Sequence, residues 1–392
     1  MQLGAAQSPP ADFQTSFMPS SVQKLHSKIR VLASMMGRGE GKVSPAVVLG
    51  DMLRKRMRAV RLEAEARLVH GPRHLPTTPS DVVALCSLRD GEPFIPHFLR
   101  HHRQLGVRHF VFLDNGSRDG TIALLRRESD VTIYSSELPY GSYKHLFKRF
   151  LIRQLGRGKW SLLLDIDECF DFPGSDHVDL PGFCRYLDAH GYNAVAAHML
   201  DLFHCGPVLE PPAAPDGDLA RVFDHYDLSN IKEDDHLSAF GPSNTVSNPE
   251  IKCLSCGINH TVFGNDVLLT KHPLIRWAPP LELPKFSHDI GYARIADVSA
   301  VLYHFKFTAA FRQVVERALH EKNYFNGSER YRRISELLER KPRLSLRTRT
   351  ARRLESVRDL VDAGFLHASP EFARWSDGTH TVLPDGTCTQ ST

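Results

Sequence analysis

Apolar residues in the first half of the chain fall into short continuous runs separated by stretches of helical period. Val82-Val83-Ala84-Leu85-Cys86 is apolar without alternation, the pattern of a strand covered on both faces. Phe94, Ile95, Phe98, Leu99 and Leu105 then recur at helical spacing until Gly106, and Phe110-Val111-Phe112-Leu113 forms a second run. The turn Asp114-Asn115-Gly116-Ser117 leads to a helix over 121–127, a strand over 131–134 and a helix over 144–155. Trp160-Ser161-Leu162-Leu163-Leu164 is a fourth buried strand, ended by Asp165-Ile166-Asp167-Glu168. Upstream, Val47, Val48, Met52, Leu53, Val60, Leu62 and Leu68 predict a helix over 45–69, closed by Gly71, Pro72, Pro76 and Pro79. Beyond Pro173 the pattern loosens, with one more strand over 298–305 and a long helix over 309–338 whose Phe311, Val314, Val315, Ala318 and Leu319 share a face.

Strand and helix alternating in this way predict an α/β fold with a mostly parallel sheet and right-handed crossovers. Such sheets bind ligands beyond the carboxyl ends of their strands. Ser87-Leu88-Arg89-Asp90, Asp114-Asn115 and Asp165-Ile166-Asp167 all fall at those ends, so one crevice should collect them.

Composition narrows the class without naming it. The 42% hydrophobic and 24% charged content is that of an ordinary globular protein, and a net charge of +4 over 392 residues does not imply a nucleic-acid surface. Basic residues dominate between Lys24 and Arg73, and Arg54, Lys55, Arg56, Arg58 and Arg61 crowd into two turns of helix that can touch an anionic surface. No apolar run reaches the roughly 18 residues of a membrane span, and the N-terminus lacks a basic-then-apolar leader. A cytoplasmic protein is expected, with peripheral contact at the inner face of the membrane. Seven scattered cysteines argue for reduced thiols; Cys253 and Cys256 have the spacing of half a zinc site, with no second pair to complete it.

Asp165 and Asp167 offer hard oxygen donors where the strand turns, suited to Mg²⁺ or Mn²⁺ bridging the phosphates of a nucleotide. Such a metal neutralises charge growing on a departing diphosphate. Asp114, directly at a strand end, can accept a hydrogen bond from a base or ribose. Lys144, His145 and Arg149 precede the Asp-x-Asp strand and can meet phosphates. For a general base the acidic run Glu233-Asp234-Asp235 and the pair His288-Asp289 are both candidates.

These pieces resemble the family 2 type of glycosyltransferase with the GT-A fold, in the branch where Arg/Lys-Asn/Asp-x-Glu follows the first strand. The resemblance spans about 81–331. It rests on Cys86-Ser87-Leu88-Arg89-Asp90-Gly91-Glu92, on Asp114-Asn115-Gly116-Ser117-Arg118-Asp119-Gly120-Thr121, and on Trp160 to Leu164 followed by Asp165-Ile166-Asp167-Glu168. It continues downstream in Leu269-Thr270-Lys271-His272-Pro273-Leu274-Ile275-Arg276-Trp277 and Leu302-Tyr303-His304-Phe305-Lys306-Phe307. The branch usually carries Asn where Asp90 stands, and Gly-Gly-x-Arg where Cys256-Gly257-Ile258-Asn259-His260 stands. The resemblance implies a Rossmann-like sheet flanked by helices, with helical N- and C-terminal additions. It places Arg89, Asp90 and Asp114 beside the nucleotide of a sugar donor, together with the motif positions Ser87, Glu92, Asn115 and Asp119, and Lys144 is expected beside the donor from its place before the Asp-x-Asp strand. Asp165 and Asp167 belong beside the diphosphate and a Mn²⁺ or Mg²⁺ ion, and His304 completes the metal sphere. Asp289 is favoured as base because it lies between two resembling stretches.

The expected organisation is a disordered tail (1–22), a basic helical appendage (23–78), a GT-A domain (79–308) and a helical C-terminal region (309–392). Within the GT-A domain, 79–172 is the nucleotide-binding half and 173–308 the acceptor half. The acceptor is left open among a glycan, a lipid-linked sugar and a protein. Two rivals stand beside this reading. A nucleotidyltransferase requires a Gly-rich basic loop that Ser87 to Glu92 matches poorly, and a non-catalytic glycan-binding protein does not require Asp114, Asp165 and Asp167.

Overall fold

The computed structural model describes residues 45–282, 288–321 and 328–378. The expected tail, the appendage up to residue 44 and residues 379–392 lie outside the described residues. By its internal contacts the chain divides into Met1–Arg61 and Leu62–Thr392.

The second unit is built on a large sheet. Strands β2 (Val83–Leu88), β3 (His109–Asp114), β4 (Val131–Ser135) and β5 (Trp160–Leu164) are parallel, and Leu88 lies opposite Asp114 while Cys86 lies opposite Leu164. Alternate side chains go to opposite faces of these strands. Ala84, Cys86, Leu88, Phe110, Phe112, Leu162 and Leu164 pack against Phe98, Leu99 and Leu105 of helix α2 (Ile95–Leu105). Val83, Leu85, Val111, Leu113 and Leu163 pack against Phe147, Phe150 and Leu151 of helix α4 (Tyr140–Leu155). Each fully buried Leu or Phe contributes about 1.5–3 kcal/mol, which explains why these strands carry no polar alternation.

The sheet then changes character. Strand β12 (Thr270–Arg276) runs antiparallel between β5 and β7 (Ala194–Asp201), and β14 (Ala300–His304) is parallel to β7 and antiparallel to β6 (Glu168–Asp171). The result is a mixed α/β fold with a mostly parallel central sheet flanked by helices.

Two expected helices come out differently. The N-terminal helix α1 (Pro45–Glu65) stops before residue 69, and Arg67–His70 forms strand β1, antiparallel to β4. Leu68 and Val69 suit either structure, and pairing with the edge of β4 decides between them. The helix expected over 309–338 is two, Phe311–Glu321 (α8) and Glu329–Arg340 (α9), with Ser328 in the left-handed region at φ 70°. Asn326-Gly327 in the intervening sequence is a turn dipeptide that a continuous helix does not favour. The basic segment after Arg343 also contributes to the core: Phe365, Leu366 and Phe372 are buried, and Phe372 meets Phe183 edge-on at 5.4 Å.

Candidate active site

The loops after β2 and β3 interlock. Asp90 adopts φ 54°, a left-handed conformation that Asp tolerates better than most residues. Its N–H donates to Ser117 Oγ at 2.8 Å, and its carboxylate accepts the Arg118 N–H at 2.8 Å. Glu92 accepts the Gly120 N–H at 2.7 Å, while the Glu92 N–H donates to Asp119 at 3.1 Å. Asp114 is buried and accepts the N–H groups of Gly116 (3.1 Å) and Ser117 (3.2 Å) in its own turn. Asn115 donates to the carbonyls of Ser136 (2.7 Å) and Leu138 (2.9 Å), tying this turn to the loop after β4. Ser87 is half-buried in β2, opposite Leu113. Helix α8 closes over the first loop through two ion pairs, Arg89 with Glu321 at 3.2 Å and Arg317 with Asp90. Sequence reasoning did not find Arg317.

Gly91 brings this pair of loops against the Asp-x-Asp turn. A Cβ on Gly91 would sit 3.1 Å from Ile166 Cγ1, tighter than an ordinary contact, so the backbone approaches closely where a side chain would intrude.

At that turn each oxygen of Asp165 faces an ammonium group. Lys148 Nζ, from α4, lies 2.9 Å from Oδ1, and Lys271 Nζ, from β12, lies 2.9 Å from Oδ2. Lys271 is buried and also donates to Glu168, whose other oxygen accepts the Asp165 N–H at 3.0 Å. Burial pushes the Asp165 carboxyl up, but the two ammoniums outweigh it and hold it well below the usual carboxylate range. Lys144, one turn before Lys148, is half-buried; burial lowers its pKa, and the Asp165 charge pulls it partly back. Of the cations expected on this helix, Lys144 is thus close enough to sense Asp165, while the direct contact belongs to Lys148.

Asp167 belongs to a different chain of contacts. Its Oδ2 lies 3.3 Å from His304 Nε2, and its carbonyl accepts the Phe305 N–H at 2.8 Å. His304 Nδ1 in turn lies 2.6 Å from the buried Asp201. Asn259 donates to Asp201 and accepts from Lys306 Nζ at 2.8 Å. Burial works against a charge on His304, yet Asp167 and Asp201 on either side raise it to about 10. Of the three expected metal ligands, therefore, Asp167 and His304 are brought together, and Asp165 is engaged by two lysines. The carboxylate donors of the set suit Mn²⁺ or Mg²⁺, whereas an imidazole among them favours a transition metal over Mg²⁺.

Asp289 is half-buried, next to His288. His288 Nδ1 lies 2.8 Å from the Thr270 carbonyl, and its pKa is lowered to about 3, first by burial and then by the Lys271 charge. The segment therefore lies against the strand that supplies Lys271. The rival acidic run is used locally: Glu233 and Asp234 are exposed in strand β9 (Ile231–Asp234), and Asp235 caps helix α6 (His236–Phe240) by accepting the Ser238 N–H at 2.8 Å. Lys148, Lys271, Asp201, Asn259 and Lys306 were not identified as site residues from sequence. One signal was present for Lys271: the polar run Thr270-Lys271-His272 inside a buried strand requires partners.

No family model matches the chain, and no curated protein matches it. Among solved structures, a mannosyltransferase, PcManGT from Pyrobaculum calidifontis in complex with GDP-Man and Mn²⁺, is similar at 21% identity over 38% of this chain and 43% of that one, with a TM-score of 0.25. The similarity spans less than half the length of that chain.

Proposed function

We propose that the chain is a metal-dependent glycosyltransferase of the GT-A type that moves a sugar from a nucleoside-diphosphate donor to a glycan, lipid-linked or protein acceptor. The observation that carries this reading is the pairing, at the carboxyl end of β5, of Asp165 with Lys148 and Lys271, near Lys144, while Asp167 two residues on meets His304. Anionic and cationic groups set side by side on a parallel-sheet crevice suit a diphosphate and its counter-ion.

Mn²⁺ or Mg²⁺, held by Asp165, Asp167 and His304, would neutralise charge on the departing diphosphate. In this reading Lys148 and Lys271 exchange their Asp165 contacts for phosphate oxygens. Asp114 and Asn115 shape the turn that receives the nucleoside. In the transfer the bond from the sugar's anomeric carbon to the phosphate oxygen breaks and a bond to the acceptor oxygen forms. Asp289 takes the acceptor's hydroxyl proton, and the nucleoside diphosphate leaves. Screening UDP-, GDP- and CDP-sugars for slow donor hydrolysis with Mn²⁺ tests the proposal. Donor hydrolysis that is lost in Asp167→Asn supports it; no hydrolysis of any donor, with or without acceptor sugars, refutes it.

Helix α1 would meet a membrane surface. Leu49, Leu53, Met57 and Val60 are exposed at i, i+4, i+8 and i+11 along α1, beside Arg54, Lys55, Arg56, Arg58 and Arg61. An apolar stripe edged by positive charge suits the interface of an anionic lipid layer. Among the described residues no helix is long and apolar enough to cross a membrane. Each basic residue near such a surface contributes about 1 kcal/mol. Salt-sensitive binding to phosphatidylserine vesicles should vanish on deleting residues 1–61, and equal binding without them would refute the assignment.

A further inference from the structure

Outside the crevice, three side chains of different chemistry meet at the neck of a closed loop. Strand β11 (Cys253–Cys256) leads through Gly257 into helix α7 (Ile258–Phe263), and the chain returns so that Ser255 bridges Leu268 and the Cys256 N–H donates to the Val267 carbonyl at 2.8 Å. Cys256 stands on the outgoing limb, His260 on the helix and Asp266 on the returning limb. Cys256 Sγ lies 3.3 Å from Asp266 Oδ1, and His260 Nδ1 lies 2.7 Å from the same oxygen. The three donor atoms all fall within 4.8 Å of one another.

The expected half-site of Cys253 and Cys256 does not form this cluster. Cys253 lies on the same strand, paired opposite Asp234 and away from the loop neck, and burial raises its thiol to about 11. Cys256 instead finds a histidine four residues on and an aspartate ten residues on.

The position of Cys256 itself points to a ligand. It is buried, and its φ of 76° lies in the region that non-glycine residues seldom adopt, at a cost of about 1–3 kcal/mol. Glycine would relieve that strain, and an exposed His–Asp pair needs no thiol beside it. A thiol kept at a strained turn, aimed at an imidazole and a carboxylate, has a use that glycine does not supply.

We propose that Cys256, His260 and Asp266 bind one Zn²⁺ ion, with water in the fourth position. A thiolate donor disfavours Mg²⁺ and Mn²⁺, and a mixed sulfur, nitrogen and oxygen set suits zinc. Zinc bonds of about 2.0–2.3 Å in a tetrahedron place donors about 3.3–3.6 Å apart, so the present spacing needs an opening of less than an ångström between His260 and Asp266. Binding displaces the thiol proton to solvent and involves no oxidation or reduction.

The ion would clasp the loop at its base. Its consequence reaches inward through Asn259, the neighbour of His260, which bonds to Asp201 and Lys306 and so holds the partner of His304. That last link rests on the glycosyltransferase reading, whereas zinc binding does not.

The full-length protein, stripped of metal and then loaded with Zn²⁺ or Co²⁺, tests the proposal by metal analysis, thermal unfolding and absorption. Wild type should retain one zinc per chain and unfold at higher temperature with zinc than without. Its cobalt form should show a near-ultraviolet thiolate band and tetrahedral visible bands. Cys256→Gly, which suits the backbone and should fold, should lose the ion, the band and the zinc-dependent shift; Asp266→Asn should weaken retention. Asp167→Asn should keep all three. Substoichiometric zinc in wild type, or a thiolate band that survives in Cys256→Gly, overturns the proposal. So does loss of the zinc in Asp167→Asn, which would move the ion to the crevice. Absence of donor hydrolysis with zinc binding intact would refute only the glycosyltransferase reading.

Discussion

Replacing Lys271 by Met removes one ammonium from an array of two carboxylates and two cations in which Lys271 and Glu168 are buried and Asp165 reaches solvent. Lys271 is buried, donates to Asp165 and Glu168, and is continuous with Lys148 through Asp165. Met fills nearly the same volume, so the cost is electrostatic. Glu168 is 1% exposed and loses its cation, while Asp165 retains Lys148. Breaking a buried pair in this way costs about 3–5 kcal/mol. At about 2 °C per kcal/mol for a large domain, the unfolding temperature should fall by about 6–10 °C. Adding Glu168→Gln, which keeps the shape and removes the stranded charge, should recover part of the loss, with a coupling of about 1–3 kcal/mol in the double-mutant cycle. The pH dependence has a definite sign. The Asp165 carboxyl is held below its unfolded value of about 3.9, so its contribution is complete above that value and is lost as pH falls through the folded one. The raised Lys271 ammonium does not titrate in this range. Calorimetric scans of the four proteins at pH 7 and at about pH 3, below the unfolded value, provide the measurement. A Lys271→Met protein within about 1 kcal/mol of wild type at pH 7 would show that the array is solvated and that its ion pairs carry little energy.

Asp167→Asn should lower donor turnover at least about a hundredfold with little change in unfolding temperature, since Asp167 is partly exposed and its side chain meets His304; Asp165→Asn should lower both, because it also removes the counter-charge of Lys148 and Lys271. Asp114→Asn keeps the shape but loses charge from a buried acceptor of two N–H groups, a change of about 1.5–3 kcal/mol that should weaken nucleoside-diphosphate binding roughly tenfold to a hundredfold by titration calorimetry; wild-type affinity would make Asp114 a turn residue only. Burial lowers His198 to about 3 and His236 to about 4, and His236 Nε2 lies 3.0 Å from His272 Nε2, so native protein holds these rings neutral. Their contribution is complete above the unfolded value of about 6.5 and falls as pH drops, by up to about 1.4 kcal/mol per pH unit for each ring. Denaturant unfolding at pH 7 and pH 5 should register that loss, and equal stability at the two would contradict it.

What the sequence disclosed depended on how local the cause was. Trp160–Leu164 emerges with the expected boundaries because five buried residues and an abrupt polar turn leave no other choice of strand. The placement of Asp114 and Asp165 at parallel strand ends follows from the same alternation. Arg67–His70 was not legible as a strand, because its structure is decided by the distant edge of β4. Nor was Lys148 separable from Lys144: both lie on one helix, and only the position of Asp165 selects between them. Arg317 and Asn259 reach the crevice through contacts 227 and 58 positions apart in sequence, a kind of information that periodicity does not hold.

Strand β6 begins at Glu168, directly after Asp167, and pairs with β14 so that Glu168 stands opposite His304. The alignment of Asp167 with His304 is therefore written into main-chain hydrogen bonds, and insertions in the surface loops of the long intervening segment should leave it untouched. A slip of one residue between the two strands would turn His304 to the opposite face of the sheet. The segment between the two strands can thus vary widely while the Asp167–His304 pair stays in place, and on the proposed function that leaves room to change the acceptor without moving the pair.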